Sequence, residues 1–145
     1  MLAALIRWQT WSKYSHVALV THAGVYEATP FKGVRARHFW SDISGIDFFA
    51  VRETSAVRIF DFINSQLGQK YDYAGVLRFL PRWRKRGDSR RWFCSEFVFE
   101  AIRRGGIYLL RETCAEKVSP GMLSMSPHLE KLQPDQVERL KNSLV

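Results

Sequence analysis

The segment Lys13–Thr29, KYSHVALVTHAGVYEAT, constrains the fold more than any other stretch of the chain. Its first part alternates and is partly β-branched, the period of a strand running to Thr21. His22-Ala23-Gly24 supplies a turn, Val25–Thr29 reads as the returning strand, and Pro30 ends it. Downstream the period changes. GIDFFAVRE, Gly45–Glu53, reads as a further strand. Thr54–Gly68 then carries Val57, Phe60, Ile63 and Leu67 at helical spacing, with Thr54 or Ser55 to cap its start and Gly68 its end. YDYAGVLRFL (71–80) reads as a shorter helix before Pro81, PRWRKRGDSRR (81–91) as a basic loop, and SEFVFEAIRR (95–104) as a helix closed by Gly105-Gly106. GIYLL reads as a short strand. SPGML and SPHLEKL each put Ser before Pro, the cap and first position of a helical turn. Residues 134–145 read as a polar terminal helix. Strands first, then helices, then short mixed pieces predict an α+β fold. With 145 residues, 46% of them apolar, the chain is expected to be one domain, 1–145, with its own core.

The formal net charge is +8. Such a surface favours anionic surroundings: a phosphate-rich polymer, acidic lipid headgroups or an anionic cell envelope. The sequence has no nucleic-acid-binding motif, no glycine-rich phosphate loop and no zinc-ligand spacing, so no metal and no cofactor are expected. LAALIRWQTW, near the start, has too short an apolar run for a membrane span or a secretory core. The chain is therefore expected to be made and kept in the cytoplasm, unless another factor releases it. Its two cysteines, Cys94 and Cys114, do not make a disulfide scaffold, although one bridge between them stays open.

Cys94 stands at the start of the 95–104 helical pattern. Unpaired N–H groups and the helix dipole there favour a thiolate over a thiol. The other reading makes Cys94 a small core residue between Phe93 and Phe97. A reactive thiol needs an imidazole, and that imidazole an orienting group. Of four histidines, His38 and His128 lie in charged or capping contexts and His22 in a turn. His16 lies inside the first strand, an unexpected place for it. If the hairpin closes through an even loop such as His22-Ala23, Ala18 stands opposite Glu27, and His16 and Glu27 become diagonal neighbours on one face. A three-residue loop would send Glu27 to the other face. A surface pair across the hairpin is the alternative use of these two residues.

SKYSHVALV, VYEAT, LGQKYDYAGVL, FCSEFV and SPGML together, in this order, resemble the YiiX-like branch of the permuted NlpC-type cysteine peptidases. The resemblance spans roughly Ile6 to Leu123. It implies a circularly permuted papain-like fold, an antiparallel sheet packed against helices, in which the histidine strand precedes the cysteine helix. It implies Cys94 as nucleophile, His16 as general base and Glu27 as the orienting group. Tyr71 becomes a donor to a developing oxyanion, with Asp72, Tyr73 and Ser95 on the substrate side. Core packing of Tyr71 and Tyr73, with Asp72 capping the next helix, is the other reading of that stretch. Two departures stand out. Family members usually have a GD-type strand ahead of the histidine strand; here LAALIRW precedes it, so the sheet is expected to be one strand short, or its edge covered by a partner or second copy. The basic loop 81–91 is an insertion.

The function expected from this resemblance is hydrolysis of an amide in a cell-wall peptide, another small peptide or an acyl-amino acid. A lipid-directed acyltransferase or thioesterase would use the same residues, and the amphipathic start with the positive charge would suit a membrane surface. A non-catalytic binder of anionic polymers, nucleic acid included, rests on charge and Trp83 alone. A short basic member of the family fits a bacterial or a phage source.

Overall fold

The computed structural model describes residues 2–39, 42–51, 55–73, 91–111 and 115–144. Helix α1, Leu2–Thr10, comes first, followed by an irregular stretch and a meander of β1 (Leu19–Thr21), β2 (Gly24–Thr29) and β3 (Gly33–Arg37). The three strands are antiparallel in the order β1-β2-β3. Leu19 pairs with Tyr26 and Thr21 with Gly24, so the β1–β2 loop has two residues, His22 and Ala23. Glu27 pairs with Arg35 and Thr29 with Gly33 in the next ladder.

Strand β4 (Phe49–Val51) leads through Ser55 into α2 (Ala56–Gln66). Ser55 occupies the cap position without a side-chain bond, and Gly68 follows the helix at φ +84°. Strands β5 (Lys70–Tyr71) and β6 (Arg91–Trp92) form a short parallel pair. Helix α3, Cys94–Arg104, follows directly. A single 3-10 turn at Ala115–Lys117 precedes α4 (Pro120–Ser124); β7 (Leu129–Lys131) returns to pair antiparallel with β4, and α5 (Pro134–Leu144) ends the described chain. The chain is thus a small α+β protein of antiparallel sheets and helices, with one parallel two-residue pair among the described residues.

The core is organised around α3, buried from Cys94 to Ile102. Phe97 and Phe99 are fully enclosed. One side of α3 meets β2, where Tyr26 and Ala28 are buried; another meets α2 through Ile59 and Ile63. Helix α1 adds Ile6 and α4 adds Leu123 to the same cluster. Gly33 lets β3 approach the chain ahead of β5: a Cβ there would lie 2.1 Å from the Gln69 carbonyl, and its φ is +67°. Val34 N–H donates to that carbonyl at 2.8 Å, joining β3 to the β5–β6 pair.

Several expectations are corrected. The first strand begins at Leu19, not Lys13, because Tyr14 and Lys13 are drawn to Asp47 instead of to β2: Tyr14 Oη donates at 2.6 Å and Lys13 Nζ at 2.8 Å. The buried stripe of α2 is Ile59 and Ile63; Val57 and Leu67 are exposed. GIYLL is not a strand. Gly106, at φ +100°, closes α3, with Gly106 N–H bonded to Arg103 O and Ile107 N–H to Ile102 O, so Ile107 caps the helix end. Leu109 is buried and its carbonyl accepts from Ser126 Oγ at 2.6 Å. SPHLEKL makes one turn, in which Ser126 Oγ accepts from the His128 N–H at 3.2 Å, after which Leu129–Lys131 pairs with β4. The SPGML turn is a helix as expected: Ser119 Oγ accepts from Met122 N–H at 3.2 Å with Pro120 in the first turn. Strands β3, β5 and β6 were not anticipated. The helix expected over 71–80 does not start at Tyr71, which belongs to β5; residues 74–80, the basic loop up to Arg90, and Cys114 lie outside the described residues.

Candidate functional site

Three elements meet at Cys94. The first is α3, which carries the sulfur on its opening residue. Phe93 precedes it with extended backbone (φ −82°, ψ 152°), so the chain enters the helix sharply. Glu96 Oε2 accepts from Phe93 N–H at 3.3 Å, closing the cap from inside the helix. The next N–H groups have no intrahelical acceptor, as in any first turn. The Ser95 hydroxyl donates to the Val118 carbonyl and the residue is buried. This bond pins α3 to the chain ahead of α4, where the expectation had set Ser95 on the substrate side.

The second element is the hairpin. The two-residue loop fixes the register, and extending the ladder by one pair sets Ala18 opposite Glu27. His16 lies just before the strand rather than within it, and its ring still reaches Glu27: Nε2 is 2.9 Å from Oε2. Cys94 also acts on this ring and favours its charged form. Cys94 is a free cysteine, not bridged. It is closed to solvent, whereas the His16 side chain is 39% exposed, so the pair meets water through the imidazole.

Glu27 is the buried hub, with its side chain 4% exposed. Its second oxygen, Oε1, accepts from Arg35 Nε at 3.0 Å and from the terminal nitrogen of the same guanidinium at 2.7 Å. Arg37 adds a longer ion pair at 3.8 Å. Burial alone would raise the Glu27 pKa; hydrogen bonds and charge from His16 and Arg35 outweigh it and hold the carboxyl at about 2. Burial likewise disfavours the His16 cation, but the Cys94 sulfur and Glu27 carboxylate overcome it and lift the imidazole to about 9. The charged form of the imidazole is therefore favoured through the neutral range, beside the Glu27 carboxylate. Arg35 is a member of this site that the sequence reading missed. The alternation in GVRAR, directly after the hairpin, was the available signal: it makes Arg35 the cross-strand partner of Glu27.

The third element is β5. Tyr71 is buried against Phe93, ring centroids 6.0 Å apart. Burial first, and then the neighbouring Cys94 charge, keep the phenol protonated far above its ordinary range, so it can only act as a neutral hydroxyl. Asp72 is buried beside it and its N–H donates to the Trp92 carbonyl at 3.1 Å; it offers no exposed surface to a bound molecule. Tyr73 is exposed, and its hydroxyl accepts from Phe31 N–H at 2.7 Å. Cys94, His16, Glu27 and Tyr71 thus come together, Tyr73 borders them, and Asp72 and Ser95 lie beneath.

The Tyr14–Asp47 bond anchors the segment just ahead of His16. Asp47 also accepts from Lys131 Nζ at 2.8 Å, and its bonds from Lys13, Lys131 and Tyr14 hold its carboxyl well below the ordinary range. Among the described residues, no three His, Cys, Asp or Glu side chains are grouped to hold a metal ion, and no helix is long and apolar enough to cross a membrane. No protein-family model matches the chain, and a search of the curated proteins finds no match.

Proposed function

We propose that the chain is a thiol-dependent hydrolase that cleaves an amide bond, with Cys94 as nucleophile, His16 as proton carrier and Glu27 as the group that orients and charges the imidazole. The observation that carries this reading is His16 held by the buried Glu27, Nε2 to Oε2 at 2.9 Å, with Cys94 the other group that acts on its imidazole. A buried carboxylate held by Arg35 behind a histidine that faces a helix-initial thiol is the arrangement nucleophilic thiol catalysis requires. In the proposed cycle the Cys94 thiolate attacks the carbonyl carbon and a C–S bond forms. The carbonyl oxygen takes up negative charge beside the first-turn N–H groups of α3 and the Tyr71 hydroxyl. The C–N bond then breaks, and the His16 imidazolium gives its proton to the departing nitrogen. Water attacks the thioester, returns a proton to His16, and frees the acid and the thiolate.

The cysteine-headed helix packed on an antiparallel sheet, with its histidine earlier in the chain, also supports a circularly permuted papain-like fold. The substrate class that fits is a short peptide or an acyl-amino acid. Because the sulfur is enclosed, substrate has to displace the groups around the His16 ring to reach it.

A lipid-directed version of the same chemistry finds some support in Trp8 and Trp11, 70% and 93% exposed at the end of α1. Co-sedimentation with anionic vesicles separates the two: pelleting at physiological salt favours the lipid version, and its absence leaves the soluble amide. The hydrolase reading itself is tested by iodoacetamide labelling followed by mass spectrometry. Cys94 is expected to be modified near neutral pH and Cys94→Ala to fold normally without label at that position. Modification confined to Cys114 would overturn the reading.

A further inference from the structure

Phe31 is the least expected residue in the structure. It is 94% exposed, and its φ of +67° is a conformation that bulky side chains rarely adopt. A turn that needed only positive φ would be served better by Gly or Asn. The neighbouring contacts give the ring a purpose. Phe31 N–H donates to Tyr73 Oη at 2.7 Å, and the two rings meet edge to face with centroids 6.0 Å apart. Tyr73 in turn meets Tyr71 at 5.2 Å. Tyr71 is buried in the same cluster as Cys94. Three aromatic rings therefore step from open solvent to the neighbourhood of the sulfur, carried by the β2–β3 turn and the end of β5.

We propose that Phe31 and Tyr73, backed by the buried Tyr71, form an aromatic shelf that binds a phenyl-sized apolar group of the substrate, on the side of the carbonyl that Cys94 attacks. This rests on the hydrolase reading and names its specificity: the preferred substrates are amides whose acyl or amine portion carries an aromatic side chain. The exposed faces of Phe31 and Tyr73 have no mutual stacking partner, since the pair meets edge to face, so a face is left for a third ring. The hydroxyl of Tyr73 holds the Phe31 backbone in its unusual conformation, so the shelf is formed before substrate arrives and binding does not have to order it.

Two probes with the same reactive carbon test it: 2-chloroacetamide and N-benzyl-2-chloroacetamide. In each, the Cys94 sulfur displaces chloride, and the second-order rate of modification at Cys94 is read by mass spectrometry. In the wild type the benzyl probe is expected to react roughly tenfold faster, the factor for removing about half of a phenyl ring from water. Phe31→Asn keeps a residue that tolerates positive φ and removes the ring; the ratio is expected to fall to about one. A wild-type ratio near one, or a ratio unchanged by Phe31→Asn, overturns the shelf while leaving the Cys94 chemistry in place. Absence of modification at Cys94 by both probes overturns the hydrolase reading, and the shelf falls with it.

Discussion

Replacing Glu27 by Gln isolates the charge at the centre of the site while preserving its shape. The carboxyl sits at about 2 instead of its ordinary 4.5, with a side chain only 4% exposed, so solvent screens it little. Because the folded-state value is depressed, the stabilisation is present above the unfolded value and is lost as pH falls from 4.5 towards 2. At about 1.4 kcal/mol per pH unit, the full effect at pH 7 is about 3 kcal/mol. For a chain of this size, that corresponds to a fall in Tm of roughly 10 °C in Glu27→Gln. At pH 3 most of the difference has gone, and about 1 kcal/mol remains. Urea unfolding of wild type and variant at both pH values measures this directly, with equal m-values showing that the same transition is compared. A stability gap of the same size at pH 7 and pH 3 would refute the reasoning, because it would show that shape and not charge is what Glu27 supplies.

Two further substitutions test the supporting structure. Ser95→Ala leaves the buried Val118 carbonyl without its hydroxyl donor and is expected to lower stability by about 1–3 kcal/mol in urea unfolding; loss of Cys94 labelling with stability unchanged would return that hydroxyl to the site. Gly33→Ala places a Cβ against the Gln69 carbonyl at positive φ and is expected to destabilise by more than about 1 kcal/mol, read as a lowered Tm, whereas an unchanged Tm would show that β3 need not approach the chain ahead of β5 so closely.

What could be read from the chain was set by local chemistry. The even loop His22-Ala23 determines which face Glu27 takes, because a strand alternates with period two, and that placement follows from the turn alone. Helix α3 was equally plain, marked by its apolar run and by Gly106 beyond its end. Arg35 was hidden because GVRAR is short, starts with glycine and has no β-branched run; only pairing with Glu27 gives it meaning. Tertiary contacts overrode the local pattern in three places. Asp47 pulled Lys13 and Tyr14 away from β1, the end of α3 absorbed Ile107, and β4 recruited Leu129–Lys131 into a strand. The Ser95 bond was not legible, because a hydroxyl beside a cysteine looks the same in sequence whether it faces solvent or a carbonyl from a segment 23 residues away.

The proposed pairing of the sulfur with the imidazole is tested most directly by NMR titration of the His16 ring, in the wild type and in Cys94→Ala. In the wild type the ring is expected to lose its proton near pH 9, and in Cys94→Ala clearly lower, because the sulfur is one of the two groups that hold the cation. A His16 midpoint near 6.5 in the wild type, or one that Cys94→Ala leaves unmoved, would show that the two groups do not face each other.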